Sequence, residues 1–413
     1  MTTLSRPAAW TIAVAATLAM SVSYIDRQVL AALGTSVRTA LVIDHEQFGW
    51  LASAFSMAYL VGTPIAGSVI DRVGARMGLV GAMLVWSVVA ASHALASSFG
   101  VLFAMRIALG AAESPSFPAA AQSVRRAIPP RERAAGVGLL FTGSSIGAMI
   151  AAPLAVAFNA RFGWRPAFVL TAIIGLVWIP LWLAVTRSPA ARAALERVDT
   201  TDAAPREPAP PRTQLARDPA VQRAVLLVVV SAPAIAFVLI WTPQYLQRAF
   251  GVAENDIGRY VWLPPLLFDL GAVGVGWIAM RRDRKSVTGE VLSHGDLAFA
   301  AALGASTLAL APFAHDVWTA VAILSLSLGG GGALYARLTA DMLARVHPAH
   351  VSTAAGTTAA AQSLAYIIAS PLVGRSVDAT HSYDASLTVL GLLVLPGVLA
   401  WLVWPVRRRD VMA

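Results

Sequence analysis

The chain has 413 residues, of which 57% are hydrophobic and only 13% are charged. Soluble domains carry roughly twice that share of charged residues, so the composition excludes an ordinary soluble protein and predicts extensive contact with lipid. The sequence has no cysteine, which excludes disulfides and thiolate metal sites. The formal net charge of +9 would suit nucleic acid binding, but the arginines lie mostly in short connections between apolar runs.

Long apolar runs recur along the whole chain, and a helix that spans a membrane needs about 20 such residues. The first run follows Arg6 and is too long for the apolar region of a signal peptide, so we expect it to be retained as a helix. Twelve candidate spanning helices satisfy this criterion, at about 8–33, 47–70, 77–97, 100–121, 134–158, 166–186, 223–247, 257–280, 295–313, 317–340, 353–376 and 385–405.

One connection is much longer than the others. Residues 187–222 are rich in proline, alanine and charge, which predicts a disordered or partly helical linker. This linker follows the sixth predicted helix. We therefore predict an all-α polytopic membrane protein with two pseudo-symmetric six-helix bundles, residues 1–186 and residues 223–413.

The basic residues predict the orientation of these helices in the membrane. One set of alternate connections and termini carries 22 arginines and lysines, whereas the other set carries 6. Because positive charge accumulates on the cytoplasmic side, we expect both termini and the linker to be cytoplasmic. The expected location is a bacterial inner membrane.

A faint internal repeat supports the division into halves. Pro130 and Pro153 are 23 residues apart, and so are Pro348 and Pro371. The second proline of each pair lies in a similar five-residue sequence, IAAPL in the fifth predicted helix and IASPL in the eleventh. Such repeats are typical of transporters in which two half-bundles rock around a central site.

Four motifs narrow the class of protein. They are YIDRQVL at 24–30, GSVIDRVGAR at 67–76, RIALGAAESPSFP at 106–118 and WLPPLLFDLG at 262–271. The second resembles the loop motif of the major facilitator superfamily. The other three resemble its anion:cation symporter branch, which includes carriers of hexuronate, galactonate and glucarate. The resemblance implies the major facilitator fold, transport of an organic anion and no enzymatic activity.

The resemblance also implies a role for the motif at 67–76. In the family, this loop locks the two bundles together at the cytoplasmic side in the outward-open state. The implied cytoplasmic gate consists of Gly67, Asp71, Arg72, Gly74 and Arg76. The alternative is that its arginines only reflect the accumulation of positive charge on the cytoplasmic side.

The chain departs from the family pattern at two places. The second-half copy of the loop motif reads GWIAMR at 276–281, with Met280 where the family usually has aspartate. The fifth predicted helix contains GSSIG at 143–147 instead of the Gly-Pro pair of the family's antiporters. The second departure favours symport over exchange.

Ionisable residues inside the predicted helices need an explanation, because each costs about 3 kcal/mol in the centre of a membrane. Arg106 and Glu113 are seven residues apart, so they lie on one face of a helix. An arginine can bind a substrate carboxylate with two hydrogen bonds, and a buried glutamate could hold or release a proton. The alternative is a static ion pair that joins this helix to a neighbour.

Asp26 and Arg27 are adjacent in the first predicted helix, so their side chains diverge by about 100°. The resemblance implies that Arg27 binds the substrate carboxylate and that Asp26 takes up a proton. A salt bridge that fixes helix packing is the alternative. Asp269 could take part in coupling, in gating or only in packing, and Arg337 lies nearer a membrane face.

Polar and aromatic side chains elsewhere in the helices could complete a substrate site by stacking or by hydrogen bonds to hydroxyl groups. Besides the two arginines, the candidates for substrate contact are Tyr24, Tyr59, Ser144, Trp241, Gln244, Tyr245 and Gln362. Aromatic residues also form interfacial belts, and polar residues also hold membrane helices together. Each candidate could therefore be structural instead.

The favoured hypothesis is a secondary active transporter that couples protons to symport of a small organic anion, a sugar acid such as a hexuronate or an aldonate. The proton gradient would supply the energy, without a cofactor, a metal, nucleic acid or an obligate protein partner. Two alternatives stay open. One is a carrier of aromatic acids, dicarboxylates or drugs on the same fold, and the other is a transporter-like sensor that binds its ligand without moving it.

Overall fold

The computed structural model describes residues 4–196, 217–283, 295–346 and 351–404, and the regular elements of these residues are helices. Most of the predicted linker and Pro348 of the predicted repeat lie outside the described residues. The α-helices in chain order are α1 Arg6–Ala32, α2 Gly34–Leu41, α3 His45–Val73, α4 Ala75–Ser92, α5 Phe99–Glu113, α6 Ser116–Ala127, α7 Arg133–Phe162, α8 Trp164–Val185, α9 Pro189–Leu195, α10 Pro219–Ile240, α11 Thr242–Phe250, α12 Leu263–Asp283, α13 Gly295–Ser306, α14 Val317–Arg345, α15 Val351–Thr380 and α16 Asp384–Val403.

Within the described residues, ten helical stretches are long and apolar enough to cross a membrane. They are Arg6–Ala32, His45–Val73, Ala75–Leu95, Ala135–Phe162, Trp164–Val185, Pro219–Ile240, Glu254–Arg282, Gly295–Phe313, Val317–Arg345 and Asp384–Val403.

Two of the twelve predicted spanning helices do not meet this criterion. The helix predicted at 100–121 is interrupted next to Pro115, which has no N–H to donate, so α5 ends at Glu113 and α6 begins at Ser116. The helix predicted at 353–376 is present within α15, but its many alanines, serines and threonines make it less apolar.

The chain divides into two compact units. The first unit comprises residues 1–202 and 240–262, and the second comprises residues 203–239 and 263–413, in each case over their described parts. The predicted bundles ended at 186 and began again at 223. Residues 240–262, which the sequence assigned to the second bundle, therefore group with the first unit.

Polar contacts fasten the segment 240–262 to the first unit. Glu254 accepts a hydrogen bond of 3.1 Å from the backbone N–H of Ser36 and another from the Ser36 hydroxyl. The side-chain amide of Asn159 donates to the same carboxylate at 3.3 Å. The helix predicted at 223–247 is consequently two helices, α10 and α11, because its second part packs on the first unit.

Helix α1 lies at the centre of the first unit, where it packs on α6, α7 and α8. Glycines of α7 allow the close approach: a Cβ atom on Gly143 would lie 2.4 Å from the carbonyl oxygen of Thr17. A Cβ atom on Gly147 would lie 2.3 Å from the carbonyl oxygen of Ser21. Small residues at such contacts are typical of packed membrane helices. Most of α1 is therefore buried in protein, including Ser23 and Asp26, whereas Tyr24 and Arg27 are half-buried.

In the second unit, α12 and α14 meet along glycines. A Cβ atom on Gly271 would lie 2.0 Å from the carbonyl oxygen of Gly329, and one on Gly332 would lie 2.2 Å from that of Phe268. The two backbones are in direct contact there, and only glycine fits at these positions.

A buried ion pair also holds the second unit together. The guanidinium group of Arg223 lies 4.3 Å from the centre of the Trp401 ring and donates to the Trp401 carbonyl oxygen at 3.1 Å. Asp341 lies 3.6 Å from Arg223 and accepts a hydrogen bond of 2.9 Å from Arg345. These charges compensate one another within the helices, as buried charges must.

Candidate functional site

An ion pair joins α1 to α5 in the interior of the first unit. Arg27 Nε donates to Glu113 Oε2 at 2.7 Å, and the hydroxyl of Ser23 donates to the same oxygen at 2.7 Å. The Glu113 side chain is completely buried. Spacing alone placed Glu113 on one face with Arg106, but the ion-pair partner of Glu113 is on another helix.

Arg106 lies deep in the same region, with 4% of its surface exposed. Its Nε donates weakly, at 3.4 Å, to the carbonyl oxygen of Leu51 on α3. Among the described residues, its Nη1 and the Nη2 of Arg27 have no hydrogen-bond partner. Each arginine therefore keeps a donor nitrogen with which it could bind a carboxylate.

Aromatic rings surround these guanidinium groups. The Arg27 guanidinium carbon lies 4.9 Å from the ring centre of Tyr24, 4.7 Å from that of Phe55 and 4.6 Å from that of Tyr59. The guanidinium carbon of Arg106 lies 5.1 Å from the centre of the Phe55 ring. Because a cation is attracted to the face of an aromatic ring, Phe55 helps to hold both cations in one place.

Sequence reasoning missed Phe55. The residue lies one helical turn before Tyr59, a predicted contact residue, and the two rings stack with their centres 5.7 Å apart. This four-residue spacing was the available signal. The backbones of α3 and α5 lie in close contact at this point. A Cβ atom built on Gly110 of α5 would lie only 2.2 Å from the Phe55 carbonyl oxygen.

Asp26 completes the cluster of ionisable groups. It is 3% exposed, and neither of its carboxylate oxygens has a hydrogen-bond partner among the described residues. It interacts electrostatically with Glu113, Arg106 and Arg27. Two acids and two cations thus share one buried region, where any change in the charge of one alters the energy of the others.

The predicted gate residues make contacts within the first unit. Asp71 accepts a hydrogen bond of 2.7 Å from Gln122 of α6. Arg76 donates to the hydroxyl of Thr186 at 3.0 Å and to Glu196 at 2.9 Å. The motif therefore ties α3 to α6, and α4 to residues on either side of α9. Its role in locking the bundles stays a prediction.

Glycine is required at position 74 of this motif. Gly74 has a φ of +87°, a left-handed conformation that side chains disfavour. A Cβ atom there would also lie 3.4 Å from the Cα of Glu196. Nothing lies within 4 Å of a Cβ atom built on Gly67, and Arg72 is exposed.

Three predicted substrate contacts lie elsewhere in the first unit. Gln244 accepts a hydrogen bond of 3.2 Å from Arg38, and the Trp241 ring lies 5.3 Å from that of Phe48 in an edge-on contact. Tyr245 packs edge-on against Phe250 at 5.8 Å. The structure surrounds all three with protein, so the contacts that it shows for them are packing contacts, and substrate binding by them stays a prediction.

The remaining candidates lie in several helices. Gln362 donates to the hydroxyl of Tyr366 at 3.3 Å and lies 3.5 Å from the hydroxyl of Tyr335, all in the second unit. Asp269 on α12 and Ser144 on α7 are half-buried. Of the predicted substrate and coupling residues, the structure thus gathers six in one cluster: Tyr24, Asp26, Arg27, Tyr59, Arg106 and Glu113.

Comparisons with known proteins show the family to which the chain belongs. The family model of the Major Facilitator Superfamily matches residues 16–293. The chain is 28% identical to the hexuronate transporter of Escherichia coli (strain K12), over 97% of this chain and 94% of that protein. It is 29% identical to the galacturonate transporter of Dickeya chrysanthemi, over 64% of this chain and 79% of that protein.

A solved structure shares the fold. It is an inward-facing, occupied bacterial homologue of the human lysosomal transporter Spinster, with a TM-score of 0.73. The likeness covers 97% of this chain and 95% of that one at 17% identity.

Proposed function

Because the chain belongs to the major facilitator superfamily, we propose that it carries a sugar acid across the membrane by proton-coupled symport. The chain is a multi-pass membrane transporter and not an enzyme. Its named relatives carry hexuronate and galacturonate, which are sugars that bear one carboxylate. A site for such a substrate needs a cation for the carboxylate and polar groups for the hydroxyls.

The two arginines on one phenylalanine ring, Arg106 buried and Arg27 half-buried, carry this proposal. Arg27 and Arg106 both lie within about 5 Å of Phe55. A substrate carboxylate would accept hydrogen bonds from the Nη atoms of both. In a region from which water is largely excluded, such charge-assisted hydrogen bonds are strong.

Proton coupling follows from the charge balance of the cluster. With both acids ionised, Asp26 and Glu113 offset the two arginines, so an added carboxylate would leave excess negative charge in a buried place. Uptake of a proton by one acid restores the balance. The cluster is then charge-compensated when it is empty and when it holds both substrate and proton, but not when it holds either one alone, which is the requirement for symport.

The ionised Glu113 would compete with the substrate for Arg27, and a proton on Glu113 would relieve that competition. The ionised Glu113 pairs with Arg27 at 2.7 Å. A protonated Glu113 keeps a hydrogen bond but no longer offers a full negative charge. Arg27 can then pair with the substrate carboxylate, and release of the substrate allows the original ion pair to form again.

The environment of the transporter is part of the same proposal. The excess of basic residues in one set of connections supports a bacterial inner membrane with both termini in the cytoplasm. The motif Asp71–Arg76 would then lie at the cytoplasmic side, where it would serve as a gate. No cofactor is needed, because the proton gradient supplies the energy.

Uptake into proteoliposomes tests the function. Purified protein should accumulate labelled glucuronate or galacturonate when the outside is more acidic than the inside, and a protonophore should abolish accumulation. An aromatic acid and a dicarboxylate in the same assay test the alternative substrates. Binding of a sugar acid without any accumulation would support a sensor and contradict the proposal.

A further inference from the structure

A buried histidine of the first unit takes no part in the proposed function as described so far. His93 follows α4 directly, and its side chain is completely buried. The ring stacks on that of Phe168 in α8, with the two ring centres 5.4 Å apart. This packing holds the ring in one orientation, so the surroundings of each ring nitrogen are defined.

The two ring nitrogens of His93 have different surroundings. Nδ1 lies 2.9 Å from the carbonyl oxygen of Val89. Because a carbonyl oxygen only accepts hydrogen bonds, Nδ1 must carry the hydrogen. In a neutral ring, Nε2 is then an acceptor with a lone pair. No described residue donates to Nε2, although this atom is buried.

Arg106 offers the donor that matches this acceptor. Helix α5, which carries Arg106, packs on α4, and the Arg106 guanidinium group interacts electrostatically with His93. The Nη1 atom of Arg106 is also buried and has no hydrogen-bond partner in the described part of the chain. A buried donor and a buried acceptor thus belong to neighbouring side chains without a direct hydrogen bond between them.

Trp86 is in a similar situation two turns earlier on α4. Its indole N–H interacts with Asp26, but Nε1 does not reach hydrogen-bond geometry with any described residue. By contrast, the buried indole of Trp178 on α8 donates to the Ala15 carbonyl oxygen at 2.9 Å. Packing in this unit can therefore satisfy a buried indole. The unsatisfied atoms of Trp86 and His93 lie on the part of α4 that meets the charged cluster.

We propose that His93 positions Arg106 through a bound water molecule, which accepts a hydrogen bond from Arg106 Nη1 and donates one to His93 Nε2. Buried polar atoms without a protein partner are nearly always satisfied by ordered water. A water that bridges two such atoms is almost as favourable in enthalpy as a direct hydrogen bond.

The bridge leaves the anion site free. It uses one N–H group of Arg106 Nη1, and the other N–H groups of the two Nη atoms remain for the substrate carboxylate. His93 does not touch the substrate. It holds the guanidinium group in the orientation that the carboxylate requires, which lowers the cost of ordering the site. This role rests on the part that Arg106 plays in the proposed function.

Nuclear magnetic resonance of the purified full chain, with isotope-labelled histidine and tryptophan, tests the bridge without any substrate. The chain has seven histidines, and His93→Gln identifies the signals of His93. The nitrogen shifts should show that Nδ1 is protonated and that Nε2 accepts a hydrogen bond. The ring protons beside Nε2 should give nuclear Overhauser effects with water, whereas the indole N–H of Trp178 should give none. A ring protonated at Nε2, or one without contact to water, would overturn the proposal.

Substrate affinity tests the positioning role. His93→Phe keeps a ring against Phe168 but removes both nitrogens, so the affinity for glucuronate should fall about tenfold, the usual effect of one hydrogen bond to a charged group. His93→Gln places an amide oxygen near the position of Nε2, and it should keep most of the native affinity. Equal losses in the two variants, or no loss in either, would contradict a positioning role.

Two further outcomes separate this inference from its neighbours. Trp178→Phe removes an indole N–H that Ala15 already satisfies, so it should lower Tm and leave the affinity unchanged. A native chain that shows the water contact but does not bind glucuronate would support the bridge and contradict the proposed substrate. If His93→Phe does not fold, the spectra of the native chain still decide whether the water is bound.

Discussion

The two units differ in the kind of polar group that they bury. The first unit contains two acids and two arginines on its helices α1 and α5, together with aromatic rings that face the cations. In the second unit, Tyr335, Gln362 and Tyr366 form a neutral hydrogen-bonded group, and the buried ion pair of Arg223 and Asp341 lies close to helix ends. Halves with related architecture thus carry different chemistry.

We infer from this difference that the two units have different roles in transport. Charge recognition and proton uptake need ionisable groups, and those are concentrated in the first unit. Neutral amides and phenols can distinguish one hydroxyl pattern from another without altering the charge balance. We therefore expect changes in the first unit to affect binding and coupling, and matched changes in the second unit to affect stability or substrate preference.

Removal of Arg106 should have the largest effect. In Arg106→Ala, the affinity for a sugar acid should fall about 100-fold or more, because a buried cation that pairs with the substrate is lost. Isothermal titration with glucuronate measures the affinity. The matched change in the second unit, Arg223→Ala, should lower Tm yet leave the affinity of the folded protein unchanged. Normal binding by Arg106→Ala would remove this residue from the anion site.

Neutralisation of Glu113 should separate exchange from accumulation. Glu113→Gln keeps the size of the side chain and a hydrogen-bond acceptor for Arg27, but it cannot take up and release a proton. Counterflow exchange of labelled substrate should survive, while accumulation driven by a pH gradient should be lost. Asp341→Asn in the second unit should retain both activities in its folded fraction. Accumulation by Glu113→Gln would place the coupling elsewhere.

Weakening of the Phe55 ring should have a moderate effect. Phe55→Leu should lower substrate affinity about fivefold, since a buried cation–π contact contributes about 1 kcal/mol. Stepwise fluorination of the ring should lower the affinity in proportion, because fluorine weakens the negative ring face with little change in size. Phe237 of the second unit packs on Tyr383, and Phe237→Leu should leave the affinity unchanged. A substrate affinity that does not change on fluorination would indicate that Phe55 has only a packing role.

The smallest effect concerns the pH dependence of stability. Hydrogen bonds from Trp10, at 2.8 Å, and from Arg6 hold the pKa of Glu132 below its usual range. A lowered pKa means that the carboxylate stabilises the folded state above its ordinary pKa, and that this contribution disappears as the pH falls through the lowered value.

The variant Glu132→Gln should therefore show a slightly lower Tm than the native chain at pH 7, and this difference should shrink as the pH falls below the ordinary pKa of a glutamate. In the second unit, hydrogen bonds from Thr319 lower the pKa of Asp316 in the same way. Asp316→Asn should show the same pattern. Thermal unfolding over a series of pH values from 7 downward measures both, and a difference that does not shrink as the pH falls would contradict the assignment of the effect to ionisation.

The sequence located the charged cluster but not its connections. Asp26, Arg27, Arg106 and Glu113 could be identified because charges are costly inside membrane helices. Spacing relates residues on one helix only, so it could not show that Glu113 pairs with Arg27. Phe55 could not be separated from other packing aromatics until its position between two cations was known.

The path of the helices was predictable where it depended on local chemistry. Pro115 marks the break between α5 and α6, and it is visible in the sequence. The grouping of 240–262 with the first unit was not predictable, because it depends on contacts of Glu254 with residues more than ninety positions away. Tertiary contacts determine with which unit such a segment packs, and the periodicity of the sequence carries no information about these contacts.

The unequal surroundings of the two Glu113 oxygens have a spectroscopic consequence. Oε2 accepts hydrogen bonds from Arg27 and Ser23, whereas Oε1 has no partner among the described residues. A proton should therefore add to Oε1, which leaves Oε2 as the carbonyl oxygen of the acid. The hydrogen bonds from Arg27 and Ser23 to Oε2 would then set the frequency of the carbonyl stretch. Infrared difference spectra of the native chain and Glu113→Gln, recorded on addition of substrate, would make the coupling proton directly visible as an absorption band.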